Sequence, residues 1–102
     1  MFGFFKKTIR FAERSSGWAR TRKLHLINNN YCIACGKRDQ LEVHHIKPVH
    51  LFPHLELELD NLVTLCADPC HLLFGHLMHF KSYNKNVIKD SAVYLNKVKN
   101  RP

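Results

Sequence analysis

The sequence predicts a small α+β domain with a thin core. Two short, apolar and β-branched segments, residues 41–48 and 61–66, predict two strands, and helical signals lie before and after them. Four cysteines form two close pairs. A chain of 102 residues buries only about 60–65 % of its unfolded surface, so a structural metal or a disulfide is a natural supplement to its core.

The charge balance indicates a polyanionic partner. The chain has 16 Lys and Arg against 8 Asp and Glu, a net charge of +8 and a pI of about 9.6. Nucleic acid is the first candidate, because neutralised phosphates release counterions, and an anionic membrane surface is its competitor. No apolar run approaches the ~18–20 residues that cross a bilayer. The first residues do not resemble a secretory signal, so we expect a cytoplasmic location and cysteines that are thiolates.

The N-terminal part is predicted to be a basic arm followed by a helix. Residues 1–16 mix aromatic and basic side chains, which is typical of an arm or accessory helix that lies along DNA, a membrane or the core. A helix is predicted for about residues 17–27, with Trp18, Leu24 and Ile27 as its buried contacts. The bases predicted near its exposed side are Arg20, Arg22 and Lys23.

The C-terminal half is predicted to contain two further helices. The Leu-Glu alternation of residues 55–59 favours a short extra strand before them. Asp68 and Pro69 are N-terminal helix signals, and the helix that follows is predicted to reach about Phe80. The last helix, about residues 86–99, is predicted to be amphipathic. Its apolar face is predicted to carry Val87, Ile88, Leu95 and Val98.

The cysteine spacing predicts a zinc site. Cys32-x-x-Cys35-Gly36 has the form of a zinc knuckle, in which both thiolates turn toward one point and the glycine permits the tight backbone. Cys66 and Cys70 form a second pair with one more intervening residue. Two such pairs suit a tetrahedral Cys₄ zinc ion. A redox pair and two disulfides, the latter in an exported basic toxin, remain as alternatives.

The doublet His44-His45 ends the first predicted strand. Adjacent side chains on a strand point to opposite faces or diverge where the strand breaks, and Pro48 forces that break. One imidazole can therefore hold a metal while its neighbour faces a substrate. The alternative is a pair of surface histidines on a basic protein.

Taken together, these segments resemble the HNH endonuclease family. The resemblance covers about residues 18–79, and its motif consists of Cys-x-x-Cys-Gly, Leu-Glu-Val-His-His-Ile-Lys-Pro, Asn-Leu-Val-Thr-Leu-Cys and Cys-His. It implies a treble-clef-like ββα-metal fold with flanking helices and a Cys₄ zinc knuckle. It also implies hydrolysis of nucleic-acid phosphodiester bonds, and a bacterial or phage origin.

The resemblance assigns different roles to the two histidines. His44 resembles the first metal ligand and His45 the general base, because a neutral imidazole can take a proton from water at pH 7. Asn61 resembles the central Asn, whose amide bridges backbone groups and holds the His45 ring in position. A simple turn Asn is the alternative reading of Asn61.

His71 resembles the second metal ligand, and the third ligand stays open. Position 75 is Gly, so the place four residues after His71 offers no ligand. His76, five residues on, fits only if a helical turn is widened or His71 lies before the regular helix. We favour His76; the alternatives are His79 and oxygens of water and phosphate.

The sequence thus predicts a metal-dependent HNH endonuclease that cuts DNA. Its active-site ion is Mg²⁺, Mn²⁺, Ni²⁺ or Zn²⁺, since imidazole ligands do not select one. The alternative is a non-catalytic, zinc-stabilised nucleic-acid-binding module. The sequence does not decide the oligomeric state, whether one or both DNA strands are cut, or whether RNA is also a substrate.

DNA binding is expected to involve mainly the phosphate backbone, with low sequence specificity. We divide the chain into the arm (residues 1–16), a nuclease core (17–84) and a C-terminal helix segment (85–102). The bases expected to contact DNA are Arg20, Arg22, Lys23 and Lys47.

Overall fold

The computed structural model describes residues 15–102, so the arm predicted for residues 1–16 lies almost wholly outside the described part. The strands are β1 (Leu41–His45) and β2 (Leu62–Cys66), and the longer helices are α1 (Trp18–Asn28) and α2 (Val87–Lys99). Two 3₁₀ turns, Pro53–Leu55 and Leu59–Asn61, precede β2, and a π-helical turn, His71–Gly75, follows it. No helix within residues 15–102 is long and apolar enough to cross a membrane.

The two strands form an antiparallel pair at the centre of the core. Leu41 pairs with Cys66 at one end, and His45 pairs with Leu62 at the other. All five residues of β2 are buried, whereas β1 is buried only at its two histidines. The buried core cluster contains Cys32, Ala34, Val63, Leu65, Cys66, Cys70 and Val87. This two-stranded sheet with its helices confirms the predicted α+β class.

Helix α1 packs on the sheet through a polar residue that the sequence did not single out. Leu24 and Ile27, predicted to be buried, are 45 % and 64 % exposed. The buried residue of α1 is His25, whose Nε2–H donates to the Thr64 hydroxyl on β2 at 3.0 Å. Thr64 in turn donates to the carbonyl of Asn29 at 2.8 Å. This buried chain of hydrogen bonds replaces the expected apolar contact.

The extra strand predicted for residues 55–59 is wrong. The backbone there turns, since the N–H of Glu58 donates to the carbonyl of Leu55 at 3.3 Å. The carbonyls of Leu55 and Glu56 accept hydrogen bonds from the side chains of Asn61 and His45, so they are not available to a strand partner. Residues 55–59 therefore form a loop, and the side chains of Asn61 and His45 hold it in place.

The helix predicted to reach Phe80 ends earlier, at Gly75. Leu77 and Met78 adopt left-handed backbone conformations, with φ of 53° and 70°. The N–H of Met78 donates to the carbonyl of Leu72 at 2.9 Å, a bond that closes a helix C-terminus. These residues favour helices in isolation, so the end of the turn is set by tertiary contacts.

Helix α2 has a narrower inner face than its sequence pattern predicts. Val87 and Ser91 are fully buried, and Leu95 and Val98 are partly buried. Ile88, predicted on the same face, is 56 % exposed. Positions 87, 91 and 95 are four residues apart and form one row along the helix, and Val87, at its start, belongs to the core cluster.

The four cysteines meet where the turn after α1 reaches the end of β2. The Sγ atoms of Cys32, Cys35, Cys66 and Cys70 lie within 4.8 Å of one another, and none is in a disulfide. Those of Cys35 and Cys66 are 3.9 Å apart, close to the about 3.8 Å expected between sulfurs bound tetrahedrally at 2.3 Å. Gly36, with φ of 84°, donates to the Cys32 carbonyl and allows the tight turn.

The chemistry of this donor set fits a structural zinc ion. Burial, together with the neighbouring sulfurs, raises the pKa of the Cys70 thiol. Clustered thiolates in such a place need a cation to balance their charge, and four sulfurs are a ligand set that zinc takes in structural sites. The cluster joins the knuckle to β2 and to the residue before the π-helical turn.

Removal of metal is expected to unfold the domain and expose its thiols. In zinc-finger peptides the binding free energy of a structural zinc is about 10–16 kcal/mol. The free energy of unfolding of a small domain is of the same order, so loss of the ion would remove most of it. All four cysteines should be alkylated after chelation without reductant, with loss of helical circular dichroism. Alkylation that requires a reductant instead would indicate disulfides and contradict the zinc site.

Candidate metal and catalytic site

A cleft of about 730 Å³ opens beside the end of β1. Three of the histidines that line it, His44, His71 and His76, place ring nitrogens within 4.8 Å of one another. Nδ1 of His44 lies 3.1 Å from Nε2 of His71. Neighbouring ligands of a divalent ion with bonds of about 2.1 Å are about 3.0–3.4 Å apart, so the cluster has the spacing of a metal site.

His71 and His76 reach the same cluster because the turn between them is widened. Residues five apart lie about 140° apart around an α-helix. His71–Gly75 is instead a single π-helical turn, whose i→i+5 hydrogen bonding takes in one extra residue. The His71 and His76 rings are consequently neighbours, with centroids 5.0 Å apart.

Gly75 lies directly against two rings of the cluster. A Cβ added there would come within 3.0 Å of Nδ1 and Cε1 of His44 and within 3.1 Å of the His71 ring. These distances are tighter than ordinary van der Waals contact. The glycine therefore gives the backbone of the turn the close approach that the cluster needs.

Hydrogen bonds behind the cluster set the tautomers of two histidines. Nδ1–H of His71 donates to Oε1 of Glu42 at 2.6 Å, and Nδ1–H of His76 donates to the carbonyl of Ser82 at 2.8 Å. A carboxylate and a carbonyl only accept, so each ring keeps the lone pair of Nε2 for another partner. Histidines that bind metals commonly have such outer partners.

Burial favours the neutral form of two histidines of the cluster, and only a neutral imidazole has a lone pair for a cation. Burial first, and then the charges of His71, His76 and His45, lower the pKa of His44 to about 3. Burial also lowers the pKa of His76. Nε2 of His44 is buried without a hydrogen-bond partner among the described residues. One imidazole presents one nitrogen to an ion, and Nδ1 of His44 is the nitrogen that lies beside Nε2 of His71, so the neutral form of these rings is the feature that fits a bound metal ion.

His45 lies in the same cleft and is held in one orientation. Its Nε2–H donates to the backbone carbonyl of Glu56 at 2.9 Å. Its ring packs on Trp18 of α1, with centroids 4.7 Å apart. In this neutral tautomer the lone pair is on Nδ1, so the ring can act as a proton acceptor there.

Asn61 ties together the two backbone segments that flank His45. Its Oδ1 accepts from the N–H of Lys47 at 2.9 Å, and its Nδ2 donates to the Lys47 carbonyl at 3.0 Å. Nδ2 also contacts the carbonyl of Leu55 at 3.3 Å, next to the residue whose carbonyl accepts from His45. The amide is buried, and it fixes the loop against the strand end.

The remaining predicted residues lie away from the cluster. Among the described residues, His79 takes no part in the cluster, and its Nδ1 accepts from the N–H of Lys81. The four bases predicted to contact DNA are exposed, and none is among the residues that line the cleft: Arg20, Arg22, Lys23 and Lys47. Lys81, which the sequence did not single out, does line it.

Glu42 is the site residue that the sequence-based reasoning missed. It lies on β1, two residues before His44, and side chains two apart on a strand share a face. That spacing places the Glu42 carboxylate near any other histidine that shares a metal ion with His44. The spacing was a usable signal, but the partner, His71, lies 29 residues away and is visible only in the fold.

Comparison with protein families matches residues 32–75 to HNH endonuclease. Over this segment the chain is similar to the HNH family. The matched segment is somewhat less than half of the chain, and it contains all four cysteines, both adjacent histidines, Asn61 and His71. His76 follows directly after it. An HNH domain implies a nuclease-type or nucleic-acid-related function. Searches of curated proteins and of solved structures gave no match.

Gly75→Ala is expected to weaken metal binding at the histidine cluster without unfolding the domain. The new methyl would push the His44 and His71 rings apart by a few tenths of an ångström. We expect affinity for a divalent ion to fall about tenfold or more, measured by calorimetry with zinc already in the cysteine site. In the control, Gly17→Ala, the methyl meets only the flexible Leu57 side chain, so unchanged affinity is expected. Equal affinities in both variants would contradict this role for Gly75.

The His44 imidazole is expected to stay neutral in mildly acidic solution. Its pKa is lowered to about 3, so the neutral form persists well below pH 6.5, where an ordinary histidine gains its proton. Nitrogen chemical shifts of His44, followed by NMR with zinc only in the cysteine site, should not change between pH 7.5 and 5. A His44 titration near pH 6.5 would show that the ring is not buried as described.

Proposed function

We propose that this protein is a metal-dependent endonuclease that hydrolyses DNA phosphodiester bonds. The observation that carries the proposal is the arrangement of one cleft, in which a proton acceptor, His45, adjoins the cluster of His44, His71 and His76. The HNH family match supports this proposal from the sequence.

In the proposed mechanism His45 is the general base. Nδ1 takes a proton from the attacking water, while the hydrogen bond from Nε2–H to Glu56 stabilises the imidazolium that forms. Asn61 and Trp18 hold the ring in place, so little reorganisation accompanies the proton transfer. A single positioned base of this kind contributes about 10²–10⁴-fold to a rate.

The proposed ion ligands are His44, His71 and His76. These three rings would hold a divalent ion, which would supply positive charge to the phosphate oxygens and the leaving oxygen. Glu42 and Ser82 orient two of the rings by accepting from their Nδ1–H groups. Imidazole nitrogens bind Mn²⁺, Ni²⁺ or Zn²⁺, whereas Mg²⁺ prefers harder oxygen ligands.

The basic surface is proposed to hold the DNA backbone. The net charge of +8 favours a polyanion, and phosphate contacts carry no sequence information by themselves. We therefore expect low sequence specificity. The residues proposed for these contacts are Arg20, Arg22, Lys23 and Lys47, and we add Lys81 because it lines the cleft.

Cleavage of supercoiled plasmid tests the proposal. Protein with zinc restored only to the cysteine site would be given Mg²⁺, Mn²⁺, Ni²⁺ or Zn²⁺ separately. We expect nicking or linearisation with at least one ion. His45→Ala should lower the rate about 10²–10⁴-fold, because the proton acceptor is lost while the ligands remain.

His50→Ala is the matched control, since His50 lines the same cleft but is exposed and lies outside the cluster. It should cut at nearly the parent rate. DNA binding without cleavage under any ion would instead favour a non-catalytic, zinc-stabilised nucleic-acid-binding module.

A further inference from the structure

An exposed aromatic ring lies at the edge of the candidate site. Phe80 lines the cleft together with the histidine cluster, yet it is 70 % exposed. Its ring centroid lies 5.3 Å from that of His76. Two neighbours, Leu77 and Met78, are 54 % and 64 % exposed. Three exposed apolar side chains thus lie within four residues of the chain, and one of them, Phe80, lines the cleft, as is typical of a binding surface.

The chain on either side of Phe80 is hydrogen-bonded to the π-helical turn and to the histidine cluster. The carbonyl of Ser82 accepts from Nδ1–H of His76, and the N–H of Ser82 donates to the carbonyl of His79. Further along, the N–H of Asn84 donates to the carbonyl of Gly75 at 3.0 Å. The segment therefore closes back on the π-helical turn, and the position of Phe80 is tied to that of the cluster.

We infer that Phe80 is a stacking platform for a nucleobase of the DNA strand whose phosphate lies at the histidine cluster. The inference rests on the proposed nuclease function and adds the form of DNA that the site prefers. Lys81 adjoins Phe80 and lines the same cleft, so a cation for the backbone lies next to a ring for the base. Basic grooves with aromatic platforms are how proteins hold single strands.

The chemistry of stacking determines the preferred substrate. In a paired duplex both faces of each base are covered by neighbouring bases. A base can lie on Phe80 only where the strand is single, mismatched or opened. Single-stranded or locally opened DNA is therefore bound more tightly than a fully paired duplex of the same length.

The test measures DNA binding by the full-length, metal-loaded protein in a His45→Ala background, so that DNA is not cut. The probes are a single-stranded oligonucleotide that carries 2-aminopurine and the same sequence as a paired duplex. Phe80→Ala should weaken single-strand binding roughly 5- to 150-fold and abolish the fluorescence change of 2-aminopurine. Duplex binding should change little.

Two variants separate stacking from general damage. Phe80→Trp keeps a flat ring and should retain tight single-strand binding. Ile27→Ala removes an apolar side chain that is 64 % exposed on α1, outside the cleft, and should have no effect.

The outcomes distinguish the two proposals. If the Phe80→Ala variant binds both DNA forms as tightly as the His45→Ala parent, the stacking inference is overturned. Plasmid cleavage by the protein with His45 intact would still support the proposed nuclease function. If the protein with His45 intact neither binds nor cuts DNA, the proposed function fails and the stacking inference fails with it.

Discussion

The pairing of β1 with β2 is the constraint on which both clusters depend. Leu41 lies opposite Cys66, and His45 lies opposite Leu62, so the ladder has a thiol of the cysteine cluster at one end and the histidine doublet at the other. A slip of one residue would exchange the faces of His44 and His45. Complete burial of β2 makes such a slip costly, so the register that fills the core also orients the site.

The two clusters are joined again by the chain after β2. Cys70 belongs to the cysteine cluster, and His71, the next residue, belongs to the histidine cluster. An ion bound by the cysteines therefore fixes the start of the π-helical turn, and the close approach of Gly75 fixes its end. The candidate structural metal site and the candidate catalytic site share one short stretch of backbone, which lets a domain with a thin core hold three imidazoles together.

Much of this arrangement could be predicted from the sequence, because some signals are local. Cysteine spacing and strand periodicity predict the knuckle, both strands and the clustering of the four cysteines. Helix geometry also required either a widened turn before His76 or a His71 that lies before the regular helix, and the structure has the widened turn. The bond between Glu42 and His71, and that between His25 and Thr64, join residues 29 and 39 positions apart, and no local pattern encodes them.

The errors have the same physical origin. The Leu-Glu alternation before Asn61 suggested a strand, but its carbonyls bond to the side chains of Asn61 and His45. Leu77 and Met78 are good helix formers, yet the turn ends before them because the chain closes back on Gly75 and His76. In both places long-range hydrogen bonds overrode local propensity.

Anomalous diffraction from crystals of zinc-loaded protein soaked in Mn²⁺ or Ni²⁺ would locate the ions at both clusters. We expect a zinc peak among the four cysteines and a second, soaked-metal peak within bonding distance of His44, His71 and His76. A soaked metal bound elsewhere, for instance by His50 or His79, with His71 and His76 on opposite sides of a regular α-helix, would contradict this expectation.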